Sequence, residues 1–231
     1  MKIQRRAILL SPLTLLAAPK HNYRFDKQFA VTPKSIDIEI ANGTVKVRAG
    51  GRKDIRVVAD IELSAPTTED LELAKREVRF DPRLDNDSFR IWVETPNDQR
   101  RWNRYNTRHN VEVEIASDTR LILRGVNGKI EVAYDQRPTK DIYVKNVNGE
   151  IQLEFPKPLN ADFQMKTMNG HIYSGFEMTP LPDESETKVT EQGMKRIVSR
   201  NRFAGGRVGR GGIEIKVEGL NGDIRIVERK A

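Results

Sequence analysis

Apolar residues recur in this chain in a fixed frame around Asn-Gly pairs. Between Thr119 and Phe176 three such pairs, Asn127-Gly128, Asn148-Gly149 and Asn169-Gly170, stand 21 residues apart. In each copy apolar side chains occupy the positions six, four and one before the Asn and three after it. The first copy supplies Leu121, Leu123, Val126 and Ile130, the second Ile142, Val144, Val147 and Ile151, and the third Phe163, Met165, Met168 and Ile172. Two outlying copies fit the frame: Ile36, Ile38, Ala41 and Val45 around Asn42-Gly43, and Ile215, Val217, Leu220 and Ile224 around Asn221-Gly222. Apolar and polar residues alternate within the frame, the period of a strand with one buried face. Each copy therefore predicts two short strands separated by an Asn-Gly corner.

The same alternation marks further strands. In SIDIEI, Ile36, Ile38 and Ile40 face one way while Asp37 and Glu39 face the other. Ile55–Leu63, Phe89–Val93 and Val111–Ile115 have the same character. One helix is expected, over Thr67–Arg79, with Thr67 or Thr68 as its cap, Glu69 and Asp70 at its positive end, and Leu71, Leu73 and Ala74 as a partial apolar face. Its tail should turn into a strand. Asp85-Asn86-Asp87 reads as a turn, lacking the alternating spacing and distal Glu of a calcium loop. Thr95–Asn110 is polar, basic and aperiodic, and Met178–Gly212 holds no sustained period, so 95–110 and 178–212 are expected to be loops. The 52 residues from Asn169 to Asn221 then amount to one repeat plus an insertion of about 31.

Asn-Gly between two β-runs is a strong hairpin signal, because a type I′ turn needs positive φ at both central residues. The fixed period favours another arrangement. A unit of about 21 residues holds two strands and two corners, and stacked copies bury a face that no single copy can bury. Asn and Gly also tolerate the left-handed conformation of a corner. With four or five inward side chains per copy, each worth roughly 1.5–3 kcal/mol on full burial, several copies could fold where one could not. The expected fold is all-β, a β-solenoid or β-helix-like stack of Asn-Gly repeats with at most one short helix; an antiparallel β-sandwich or meander is the alternative. Asn42, Gly43, Asn127, Gly128, Asn148, Gly149, Asn169, Gly170, Asn221 and Gly222 are its structural corners.

Composition adds the setting. The 231 residues are 37% apolar, 32% charged and 6% aromatic, without Cys, which excludes disulfides, thiolate metal sites and a lipidated cysteine. MKIQRR followed by AILLSPLTLLAAP has the basic and apolar regions of a signal peptide and is short for a bilayer-spanning helix. Residues 1–18 are read as that signal, with cleavage after Ala17, and 29–231 as a single β-repeat domain. Lys2, Arg5 and Arg6 leave with the signal, so the formal charge of +7 becomes 7 − 3 = +4. That surplus suits an anionic surface as readily as a nucleic acid.

The reiterated V-N-G-x-I frame, in IEIANGTVKV, RGVNGKIEV, KNVNGEIQL and the closing GRVGRGGIEIKVEGLNGDIRI, resembles a bacterial family of putative adhesins built from β-strand repeats. The resemblance runs from about Phe29 to the C-terminus. It implies a β-helical or solenoid-like fold and an extracytoplasmic location, and it brings no catalytic residues with it. The insertion at 178–212 and the stretch 64–110, which holds no Asn-Gly, depart from the family pattern.

Candidate chemistry is sparse. His21, His109 and His171 are scattered, and GGRVGRGG lacks the strand, helix and Lys-Ser/Thr context of a phosphate-cradling loop. Glu131, Gln152, Tyr173 and Arg225 take equivalent places in successive copies, so no carboxylate ladder marks a polysaccharide-active solenoid enzyme. Two basic segments remain: Arg100, Arg101, Trp102, Arg104 and Tyr105 in one, Arg200, Arg202, Arg207 and Arg210 in the other. These could contact an anionic ligand, with the aromatics as stacking platforms. In an exported protein the partners would be envelope glycans, anionic surfaces or another protein, with no specific nucleic acid. The expected function is a non-enzymatic envelope or surface module, adhesin-like in its binding or structural role, with no cofactor. Nucleic-acid or anionic-polymer binding and a polysaccharide-active enzyme are the alternatives.

Overall fold

The computed structural model describes residues 18–94, 104–181, 186–192, 195–201 and 203–229, the segments 186–192 and 195–201 by backbone alone. In chain order the first elements are β1 (Lys20–Phe29), β2 (Ser35–Asn42), β3 (Val45–Gly50), β4 (Ile55–Ser64), α1 (Thr68–Glu77), β5 (Arg79–Phe80), β6 (Arg83–Asp85), β7 (Ser88–Glu94) and β8 (Asn106–Ala116). The central copies supply β9 (Arg120–Asn127), β10 (Ile130–Tyr134), β11 (Ile142–Asn148), β12 (Ile151–Phe155), β13 (Ala161–Asn169) and β14 (Ile172–Ser174). Then follow β15 (Thr179–Pro180), β16 (Glu186–Gln192), β17 (Lys195–Asn201), β18 (Ala204–Val208), β19 (Ile213–Asn221) and β20 (Ile224–Glu228).

The strands on either side of an Asn-Gly pair lie in different sheets and never pair with each other. One large sheet runs β1-β4-β8-β3-β10-β12-β20-β14; the other runs β15-β18-β13-β19-β11-β9-β2-β7-β5, with β6 beside β7. From β8 to β14 in the first, and from β7 to β13 in the second, every pairing is parallel. Antiparallel strands finish the ends: β1 and β4 beside β8, and β15 and β18 beside β13. The fold is therefore all-β with mixed sheets and a single helix among the described residues.

The frame sets the register. Leu121 stands opposite Ile142, Ile142 opposite Ile215 and Ile215 opposite Phe163, and the second strands match in the same way, Ile130 to Ile151 to Ile224. Side chains at six and four before the Asn and three after it fill one core between the sheets, including Ile36, Leu123, Val144, Val217, Phe163 and Ile151. The order of copies is not that of the chain. The last copy, β19 and β20, is inserted between the second and the third, and the third stands at the end of the stack.

Four expectations are corrected. The position just before each Asn faces outward: Val126, Leu220 and Met168 are 42%, 37% and 67% exposed, Ala41 is exposed, and Val147 is half-buried. Each copy thus gives fewer core side chains than its apolar count suggests. The folded part begins before Phe29, because β1 pairs with β4 along its whole length. The segment 95–110 is not all loop: from Asn106 onward it is strand, with His109 turned into the protein. Nor is 178–212, which contains β15 to β18; β16 and β17 form their own antiparallel pair, and β18 closes the edge of β13. Both segments pair their backbones without apolar alternation to announce it. The expected signal peptide, residues 1–18 with its cleavage point after Ala17, falls almost wholly outside the described residues.

The helix forms as expected. Thr67 Oγ1 accepts from the Asp70 N–H at 3.1 Å, Leu71 and Ala74 are buried, and β5 follows. A two-residue turn, Asn86 and Asp87, joins β6 to β7, with Asn86 at φ 53°.

Candidate functional site

The corners are joined by two sets of hydrogen bonds that run from copy to copy. Of the expected left-handed pairs only the glycines adopt positive φ, at Gly43, Gly128, Gly149 and Gly222, between 129° and 142°. The asparagines do something else. Asn127 Nδ2 donates to Asn42 Oδ1 at 2.9 Å, Asn148 to Asn127 at 2.8 Å, Asn221 to Asn148 at 2.7 Å and Asn169 to Asn221 at 2.7 Å. Five copies thus share one unidirectional amide ladder, possible because parallel strands about 4.8 Å apart bring identical side chains together. Beside it the glycine N–H groups bond rung to rung: Gly43 to the Asn127 carbonyl, Gly128 to Asn148, Gly149 to Asn221 and Gly222 to Asn169, all at 2.8–2.9 Å.

Under the ladder two polar side chains take inward positions that the alternation gives to core residues. Asn146, 2% exposed, donates to the carbonyls of Gly128 and Gly149 at 2.8 and 3.1 Å, and its Oδ1 has no partner. Thr167 Oγ1 donates to the Gly222 carbonyl at 2.9 Å. Gly125 makes room, since a β-carbon there would lie 2.7 Å from Asn146 Oδ1. A polar residue at inward parity in IYVKNV was the available signal for this role, and sequence reasoning passed over it.

The outer faces carry straight rows of side chains. Across the β8 sheet stand Glu112, Lys46, Glu131, Gln152, Arg225 and Tyr173, one per strand in register. Lys129 meets Glu131 at 2.7 Å, Arg225 reaches Glu150 at 2.8 Å and Asp223 at 3.0 Å, and its guanidinium lies 4.5 Å from the Tyr173 ring centre. The row is mixed in charge, with Lys46 between Glu112 and Glu131, and Gln152, Arg225 and Tyr173 beyond them. On the other sheet Arg124 binds Asp37 at 2.7 Å. A shallow cleft of about 290 Å³ borders Trp92, Glu39, Ala41, Val126 and the buried His109, whose Nε2 has no partner. Arg83 and Arg90 lie 4.4 and 5.0 Å from the Trp92 ring. Among the described residues no group of three or more His, Asp or Glu side chains converges as a metal site.

The basic candidates are not brought together. Arg100, Arg101, Trp102 and Arg202 lie outside the described residues, and Arg200 is on β17, described by backbone alone. Arg104 is bound to Asp70 through Nε at 2.6 Å, and Tyr105 donates to Glu77 at 3.0 Å. Arg207 forms a two-point pair with Asp162 at 2.7 and 2.9 Å, which holds that carboxyl below its ordinary range. Arg210 is exposed, and its backbone N–H donates to Asn160 Oδ1 at 3.0 Å. Arg207 sits on β18 at one end of its sheet and Arg104 beside α1 at the other end of the stack. Six strand spacings, about 29 Å, separate β18 from β7.

No family model matches the chain, and no match to a curated protein is significant. Among solved structures it is similar to a putative cell adhesion protein from Clostridium sporogenes, 10% identical over 90% of this chain and 100% of that one, with a TM-score of 0.40. It is also similar to a putative lipid binding protein from Parabacteroides distasonis, 6% identical over 65% and 70% of the two chains at TM-score 0.28. A putative adhesin from Bacteroides fragilis is 8% identical over 89% of this chain and 97% of its own, at TM-score 0.20. At such identities and TM-scores the likeness carries neither a ligand nor an activity over to this chain.

Proposed function

We propose that this chain is an exported, non-enzymatic module of the cell envelope or surface, a solenoid-like stack whose corners are scaffold and whose outer faces make contacts. The observation that carries the reading is the construction of those faces. Side chains stand in rows one strand spacing apart, and their charges are paired along and between rows, as in Lys46 with Glu112 and Glu131 at 3.8 and 4.0 Å. Such a surface suits an extended contact with a glycan, an anionic surface or another protein. The residues proposed to meet an anionic partner are Arg104, Tyr105, Arg207 and Arg210, with Arg100, Arg101, Trp102, Arg200 and Arg202. Because Arg104 and Arg207 already hold carboxylates and stand at opposite ends, they form no continuous phosphate track, which weighs against a nucleic-acid partner.

Fractionation of cells, with N-terminal sequencing of the mature chain, tests the export. A product beginning at Ala18 outside the cytoplasm is expected. Full-length protein confined to the cytoplasm would overturn the reading.

A further inference from the structure

Asn-Gly is the dipeptide in which an asparagine side chain is most open to attack by the following backbone nitrogen, since glycine offers no side chain to obstruct it. The Gly nitrogen, as its anion, attacks the Asn Cγ. The N–Cγ bond forms, the Cγ–Nδ2 bond breaks, and ammonia leaves with the proton. Water then opens the cyclic imide at either carbonyl to give aspartate or isoaspartate. This chain has five such pairs, and four of them are occupied in the ways that oppose the reaction. The N–H groups of Gly43, Gly128, Gly149 and Gly222 each donate to an Asn carbonyl of the adjoining rung, so the nucleophile is tied down. In Asn42, Asn127, Asn148 and Asn221, Oδ1 accepts from the next amide of the ladder, a bond that restrains the side chain.

Asn169-Gly170 is different on every count. It ends the stack, so among the described residues the Gly170 N–H has no hydrogen-bond acceptor and Asn169 Oδ1 has no donor. Gly170 lacks the positive φ of the other four and is exposed, whereas they are half-buried. We infer that Asn169-Gly170 is a site of spontaneous deamidation and isomerisation in the folded protein, and that the stack protects the other four pairs.

Conversion there has a structural consequence. An aspartate at 169 has no amide N–H to give Asn221, so the last ladder bond is lost, and isoaspartate adds a backbone carbon that breaks the register of Asn169 with Asn221. The terminal rung would loosen while the remainder stays paired.

Incubating the full chain at mildly alkaline pH, natively and in concentrated urea, and mapping its peptides by mass spectrometry tests the assignment. In the native protein Asn169 should convert at least about fivefold faster than each of the other four, the factor expected for one backbone hydrogen bond that must first open. In urea the five rates should converge. An interior pair converting as fast as Asn169 in the native protein would overturn the assignment. So would the same ranking in urea, which would place the cause in local sequence and not in the stack.

Discussion

A β-carbon on Gly149 would lie 2.0 Å from the Gly128 carbonyl oxygen, and Gly149 holds φ 131°. Two separate restrictions therefore act at one residue, and a second glycine divides them. Gly212 has φ 144°, but its added carbon would meet nothing nearer than 3.8 Å. Gly212→Ala should cost about 1–3 kcal/mol from backbone strain alone. Gly149→Ala should cost about 1–3 kcal/mol more, because a rung must shift to admit the methyl group. Urea denaturation of the two variants measures the difference, and equal losses would show that close stacking is not what requires glycine at the corner. His109 offers a test in pH. Burial lowers its imidazole pKa from 6.5 to about 4, beside Phe80, whose ring is stacked at 6.2 Å. The unfolded chain takes up a proton there that the folded one refuses. The stability tied to this group is full above pH 6.5 and is lost as pH falls from 6.5 toward 4. Between pH 7 and 5 the wild type should lose about 2 kcal/mol more than His109→Phe, followed by urea denaturation at each pH. The carboxylates with lowered pKa, among them Asp26, Asp54 and Asp162, weaken the fold only at lower pH and do not confuse the comparison.

The corner as an element shows how far a local signal reaches. Asn-Gly lies where one strand ends and the next begins in the other sheet, but a hairpin and a corner between two sheets share that signal. What separates them is whether the flanking strands pair with each other or with the next copy. The outward row of Ala41, Val126, Val147, Leu220 and Met168 misled for a related reason: the chain bends immediately after it, so apolar character there does not imply burial. The helix was legible because its start is chemically explicit. Thr67 both accepts from the Asp70 N–H and donates to the Asp70 carboxylate at 2.8 Å. Thr67→Ala should cost about 1 kcal/mol, readable as a lowered unfolding midpoint. No change on thermal or urea unfolding would mean that the interaction of Asp70 with Arg104 holds the helix start without its cap. The candidate contacts were legible as residue types only. Composition marked Arg104 and Arg207 as basic, but their commitment to Asp70 and Asp162 depends on residues 34 and 45 positions away.

Across the whole molecule, the repeat specified which residues face one another without specifying which copies are neighbours. Any copy can pair in frame with any other, so Ile215 matches Phe163 as well as Ile142, and in the fold it pairs with both. The order is decided by a part of the chain with no repeat pattern. After β14 the chain returns as β18, antiparallel to one edge of β13, and β19 then enters between the other edge of β13 and β11. A sequential stack would instead place β13 against β11. Because the chain has no cysteine of its own, engineered pairs can distinguish these orders. Lys145 and Glu218 stand in register on adjacent strands, whereas Lys145 and Lys166 are separated by β19. Neighbouring strands are about 4.8 Å apart and next-neighbours about 9.6 Å, while a disulfide needs Cα atoms within about 7 Å. Lys145→Cys with Glu218→Cys should therefore oxidise in the folded protein, and Lys145→Cys with Lys166→Cys should not. Mass spectrometry of the oxidised variants reads the answer, and the reverse result would place the copies in chain order, with β13 against β11.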